Sequence, residues 1–342
     1  MLRLDRTAAA TGATTQTTMP EPAVPAPAPA MLAGRRNEVV RGIMFMLGAT
    51  VMFAASNAIS KWVVAIYPVG EVMFARSLSS FAVCAAVMLP VTGLGVFATR
   101  RVRDHLARGL SQSISQTFTV IAFSLMPLAG ATAINFSAPL FSALISVIFL
   151  KEPAGPARWG MLIAGFAGVL VVTSPGADSF QLGALFALGN AVMYGSVTVA
   201  VRGMTKTESA NTLLIWQMAT LAVFHSALLL FGFRWPTPHH AVLLGASGVA
   251  NAAAQFLWTK ALHAAPATAV SPFYYFLLVW SMAIGFLVWG DIPTPSLLVG
   301  SAIVVASGLA LLYHEAQRQT AAAPARAAAT AADDMAARSA RA

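Results

Sequence analysis

LGATVMFAASNAISK at residues 47–61 returns as LGNAVMYGSVTVAVR at residues 188–202, 141 positions later. Leu47-Gly48, Val51-Met52-Phe53 and Lys61 fall on Leu188-Gly189, Val192-Met193-Tyr194 and Arg202. At an offset of 139 the correspondence continues, with Gln112, Gln116, Pro127 and Glu152 falling on Asn251, Gln255, Pro266 and Asp291. The chain therefore carries one hydrophobic unit twice. Each copy holds five apolar stretches, and an odd number of spans turns the second copy upside down in a bilayer, which is the plan of many secondary transporters.

Only 10% of the 342 residues are charged and 58% are hydrophobic, whereas soluble domains hold about 25% charged residues. Apolar stretches run approximately over 43–61, 72–90, 109–126, 130–150, 159–174, 181–201, 211–232, 241–262, 267–289 and 296–313. Most approach the roughly 20 residues needed to cross a hydrocarbon core about 30 Å thick. The expectation is an all-α polytopic membrane protein with ten transmembrane helices arranged as two inverted five-helix repeats, at 41–174 and 180–313. Residues 1–38, rich in Ala, Thr and Pro and ending near the alternating Pro25–Ala30 run, read as an unstructured cytoplasmic extension. Residues 314–342 read as a cytoplasmic tail.

The net charge of +9 does not point to nucleic acid, because the cations collect at alternate ends of the stretches. Arg100, Arg101, Arg103 and Arg108 flank one loop, and of the 21 Lys and Arg residues all but Lys61, Arg76 and Arg234 fall on the same side as both termini. That asymmetry is the positive-inside pattern, placing both termini in the cytoplasm. The single Cys84 excludes an intrachain disulfide and a thiolate metal site. No cofactor or metal is expected. The expected partners are a small-molecule substrate and the lipid bilayer, with a homodimer left open.

Polar side chains are costly in hydrocarbon, so those sharing a helix face point to a bundle interior or an aqueous path. Ser111, Gln112, Ser115, Gln116 and Thr119 share one face of the third stretch, and Asn251, Gln255, Trp258 and Thr259 form its twin in the eighth. Asn57 with Phe53 in the first stretch, Asn190 with Tyr194 in the sixth, Asn135 in the fourth and Tyr274 in the ninth complete a candidate substrate path. Packing between helices is the competing use of such amides, and Tyr274 and Tyr275 suit interfacial anchors equally well. Three ionisable residues are candidates for gating or charge: Glu71, Arg76 and His225. Glu71 and Arg76 are five apart on one helix, roughly 140° around its axis, and do not face each other. Arg76 either snorkels to the headgroups or faces an outer vestibule. His225 is the only ionisable group near mid-membrane, and no carboxylate falls inside a stretch, which favours exchange or facilitation over proton symport. Gly160, Ala164 and Gly168, with Ala302, Ala306 and Ala310, read as small-residue packing faces. Pro139 and Pro272 read as breaks in their helices.

The segment FSLMPLAGATAINFSAPLF at 123–141, followed by LKEP at 150–153 and GFAGV at 165–169, resembles the EamA-type members of the drug/metabolite transporter superfamily. The resemblance implies ten helices, cytoplasmic termini and a central cavity lined by stretches 1, 3, 4, 6, 8 and 9. Around Ser137-Ala138-Pro139 and Arg158-Trp159 it is most similar to the branch with S-adenosylmethionine and riboflavin carriers. It implies a secondary transporter of a small organic metabolite in the inner membrane, not an enzyme. Two other classes compete: a membrane scaffold, which needs no polar faces on six helices, and a lipid-modifying enzyme, which needs a nucleophile or base with a partner. His239-His240 has no acidic neighbour in sequence.

On a Cys84→Ser background, a cysteine in place of Asp178 should react with an impermeant maleimide on intact cells. One in place of Arg103 should react only after permeabilisation.

Overall fold

The computed structural model describes residues 29–149, 151, 154–173, 178–204, 207–314 and 317. The expected 1–38 extension and 314–342 tail therefore fall largely outside the described residues. All described regular structure is helical: α1 (Pro29–Val64), α2 (Val69–Thr92), α3 (Val102–Leu125), α4 (Leu128–Asn135), α5 (Ala138–Phe149), α6 (Pro156–Thr173), α7 (Asp178–Met204), α8 (Ala210–Ala227), α9 (Pro238–Ala264), α10 (Ala267–Tyr274), α11 (Phe276–Trp289) and α12 (Pro295–His314). Eight spans among the described residues are long and apolar enough to cross a bilayer, α4 with α5 and most of α10 with α11 each counting as one. The two remaining columns are α3, diluted by its polar face, and α7, whose apolar run is the shorter Leu182–Val197.

Local signals set where the helices start. Ser209 caps α8, its Oγ accepting the Thr212 N–H at 3.1 Å, and Thr237 caps α9 ahead of Pro238 at the first helical position. Pro127 and Pro266, equivalent in the two repeats, enter α4 and α10 with nearly identical extended geometry. The breaks that follow do not fall on Pro139 and Pro272 as expected. They fall on Phe136 and Tyr275, themselves equivalent under the 139-residue offset. In the first break Ser137 N–H donates to Ile134 at 2.9 Å, and in the second Tyr275 N–H donates to Pro272 at 3.3 Å, both i to i−3 bonds. Pro139 sits in the first turn of α5, where its missing N–H costs little. Pro272 lies inside α10. The rings of Phe136 and Tyr275 touch, with centroids 4.8 Å apart, so the two breaks meet where the repeats join.

The repeats are inverted in space. Lys61 at the end of α1 donates to the carbonyls of Phe123 and Met126, at 3.0 and 2.8 Å, at the end of α3. A Cβ on Gly183, near the start of α7, would stand 3.1–3.2 Å from Leu125 and Met126. Thus α1 ends where its counterpart α7 begins. Two helix crossings repeat in mirror fashion: Gly109 of α3 lies against Thr220 of α8, and Gly248 of α9 lies against Ser79 of α2. At either glycine a Cβ would come within 2.5 Å of its neighbour. Of the expected small residues only Gly168 is packed. Ala164, Ala302, Ala306 and Ala310 are exposed, no atom lies within 4 Å of a Cβ on Gly160, and Gly168 packs with Gly165 and Val172 against Ile303, Leu140 and Gly300. Lipid tails are as apolar as a packed helix face, so a run of small residues does not tell one from the other.

Gly109→Val should destabilise the protein by about 1–3 kcal/mol through overpacking, whereas Gly160→Val should leave stability unchanged; unfolding in detergent distinguishes them.

Candidate functional site

A cavity of about 660 Å³ lies between the repeats, inside the roughly 300–1,000 Å³ range of small-molecule sites. Its walls come from α1, α3, α5, α7, α8, α9, α10 and α12. Phe53, Tyr194, Trp258 and Tyr274 give it four aromatic side chains among a mainly aliphatic lining, with Phe53 and Tyr274 edge to face at 6.2 Å. The polar groups include Arg108 and Gln112 one turn apart on α3, Ser142 on α5, Gln217 on α8, Ser271 on α10, and Gln255, Thr259 and His263 on one face of α9. The cavity reaches Ala210 at the start of α8 and exposed His263 near the end of α9, and so opens toward the face that carries the basic loop. A second crevice of about 460 Å³, lined by Arg101, Asp104, Ser111 and Ser196 among others, joins it at Arg108 and Val197.

The opposite face is closed. Lys61 ties α1 to the C-terminal carbonyls of α3 and lies 5.4 Å from the Trp289 ring centre. Tyr67 and His240 share a hydrogen bond of 2.9 Å. Glu71, 3% exposed, accepts the backbone N–H of Arg234 at 2.9 Å.

Of the residues expected along the path, Gln112, Tyr194, Gln255, Trp258 and Tyr274 line the cavity, while Asn57, Gln116, Asn135, Asn190 and Asn251 do not. Three of those amides are held by other helices. Ser115 donates to Asn190 Oδ1 at 2.5 Å and Asn190 Nδ2 donates to Asn135 at 2.7 Å, a chain joining α3, α7 and α4. Asn251 accepts from Arg76 Nη2 at 2.9 Å and donates to Ser80 at 3.1 Å. Arg76 is therefore neither snorkelling nor in a vestibule. It is 7% exposed among α1, α2 and α9 and does not pair with Glu71. His225 is fully buried, with Ser77 Oγ 3.0 Å from Nδ1 and the Ser113 carbonyl 3.3 Å from Nε2, so it bridges α2, α3 and α8 away from the cavity. Tyr274 faces the cavity instead of the membrane surface.

Arg108 is the residue that sequence reasoning missed. Counted with the basic loop, it belongs to α3 four residues before Gln112, on the same stripe. Its Nη1 donates to the Leu213 carbonyl at 3.1 Å and its Nη2 to Gln217 Oε1 at 2.5 Å. The spacing to Gln112 was the available signal.

The sequence pattern of the EamA-like transporter family matches residues 40–174 and again 181–313. The chain belongs to that family. It is 27% identical over 291 residues to a riboflavin transporter of Rhizobium johnstonii, covering 84% of this chain and 96% of the relative. It is 28% identical over 277 residues to an S-adenosylmethionine uptake transporter of Rickettsia bellii, covering 80% and 93%. A crystal structure shares the fold, with a TM-score of 0.56 at 19% identity over 81% of this chain and 98% of its own. This EamA protein is thus a multi-pass inner-membrane metabolite transporter of the drug/metabolite superfamily.

Asn251→Leu should lower stability by about 1.5–3 kcal/mol, the worth of a hydrogen bond to a charged group, because it strands Arg76. Gln112→Ala, at the cavity wall, should lower it less when both are unfolded in the same detergent.

Proposed function

We propose that this transporter crosses the bilayer ten times with its basic loop and both termini in the cytoplasm, and that it moves a flat heteroaromatic metabolite of the flavin or S-adenosyl kind by alternating access. The observation that carries this reading is the cavity between the repeats with its four aromatic side chains, open toward the basic face and tied shut on the other. Trp258, Tyr194, Tyr274 and Phe53 offer planar surfaces to a ring, which is favoured in stacked or edge-to-face contact. Gln112 of α3 and Gln255 of α9, on counterpart helices of the two repeats, offer amides to ring heteroatoms. The relatives named for riboflavin and S-adenosylmethionine support the same chemical class.

With ten crossings, α3 and α7 span the membrane despite their weaker apolar character. The polar side of α3 faces the cavity and α7, so α3 exposes less of it to lipid than its composition suggests. No described carboxylate lines the cavity, and His225 is engaged at both ring nitrogens. The carrier accordingly works by facilitation or exchange.

In proteoliposomes, labelled riboflavin or S-adenosylmethionine should equilibrate without an imposed pH gradient, and Gln112→Ala or Trp258→Ala should cut the initial rate at least tenfold at normal expression. Several-fold accumulation driven by a proton gradient and lost in His225→Ala would overturn the uncoupled mechanism. Normal uptake by Gln112→Ala would remove that residue from the path.

A further inference from the structure

Arg76 and Arg108 occupy matched settings. Under the repeat, Arg76 of α2 falls on Gln217 of α8, and Asn251 of α9 falls on Gln112 of α3, one turn from Arg108. Each of two contacts between the repeats thus pairs a guanidinium with a side-chain amide: Arg76 with Asn251 at 2.9 Å, and Arg108 with Gln217 at 2.5 Å. The cation stands on α2 in one contact and on α3 in the other. Gly248 and Gly109 bring the backbones together beside them in the same way.

Neutral acceptors satisfy N–H groups but leave the charge uncompensated. Among the described residues no carboxylate lies within salt-bridge distance of either guanidinium: Asp104 is engaged by Arg101 at 3.6 Å, Glu208 lies 3.9 Å from His105, and Glu71 takes the Arg234 N–H. The Nε of each arginine is buried and lacks a hydrogen-bond partner. Arginine stays charged in proteins, and a charge withdrawn from water is costly unless it is paired. They differ in access, since Arg108 faces the open cavity and Arg76 is sealed.

An inverted-repeat carrier exchanges the shapes of its halves as access alternates, so the opening that now reaches Arg108 has a counterpart that reaches Arg76. We infer that the cargo carries a negatively charged group, a carboxylate or a phosphate, received by Arg108 when the cavity faces the basic side and by Arg76 when it faces the other. This rests on the alternating-access reading above and narrows its substrate class to heteroaromatic compounds that carry a carboxylate or a phosphate. Guanidinium is suited to the task because its planar donors match both oxyanions.

The test uses the purified full chain and two matched pairs of probes, flavin mononucleotide with riboflavin for the phosphate and S-adenosylmethionine with its decarboxylated form for the carboxylate. By equilibrium dialysis, the member of at least one pair that carries the phosphate or carboxylate should bind at least tenfold more tightly, and the pair that discriminates identifies the anion. Arg108→Gln should abolish the preference between the two members of that pair, its unfolding midpoint in detergent reporting a folded variant; Arg108→Lys should retain a preference. Arg76→Gln should keep the binding preference yet lose at least tenfold of the uptake of the phosphate- or carboxylate-bearing probe into proteoliposomes. Equal binding within both pairs, a preference that survives Arg108→Gln, or normal uptake by Arg76→Gln overturns the inference and leaves the proposed substrate class standing. Failure of all four probes to bind overturns both together.

Discussion

Hydrocarbon supplies no hydrogen-bond partner, so each polar side chain within this bundle must be met by another helix, by its own backbone, or by whatever fills the cavity. That constraint sorts the polar residues. Asn135, Asn190 and Ser115 satisfy one another across three helices. Asn251 serves Arg76 and Ser80, and His225 is shared by Ser77 and the Ser113 carbonyl. Those at the cavity wall, Arg108, Gln112 and Gln255 among them, face a space where water or cargo can take up the remaining donors and acceptors.

The repeat adds a second constraint, because whatever one half does at one face the other half can do at the opposite face. Arg76 with Asn251 and Arg108 with Gln217 express it in charge, and Gly248 on Ser79 with Gly109 on Thr220 express it in packing. The departures from symmetry describe the conformation. Lys61 reaches the carbonyls at the end of α3, where it is favoured both as a donor and as a cation at a helix C-terminus, and so helps hold the non-basic face shut.

The duplication and the polar stripes were legible in the sequence because they rest on spacing alone. Gln112, Gln255 and Trp258 could be placed on the right faces from their four-residue and three-residue intervals. What spacing does not encode is which neighbouring helix a face meets. Asn251 and Gln112 are equivalent in the repeat, yet one lies under a guanidinium and the other on the cavity wall, because the conformation is open on one side only. Ala164 and Gly165 are adjacent small residues, and only the packing of Leu140 shows which points inward. Arg108 was lost to a boundary, since a cation near the end of an apolar stretch reads as loop until the helix is seen to begin at Val102.

The two breaks at Phe136 and Tyr275 give these asymmetries a mechanical origin. Each divides a membrane helix into unlike halves: α5 and α10 lie toward the basic face and line the cavity with Pro139, Ser142, Ser271 and Tyr274, whereas α4 is buried along Leu128–Ile134 beside α11. At both breaks the regular ladder gives way to i to i−3 bonds, whose geometry is poorer, so the backbone bends there at less cost than elsewhere in the span. Because Phe136 and Tyr275 touch, a bend at one is felt at the other. In the alternating access proposed above, swinging α5 and α10 inward would close the basic face, and the same pivots, worked from their other sides by α4 and α11, would loosen the face that Lys61 secures without any helix leaving its place in the bundle.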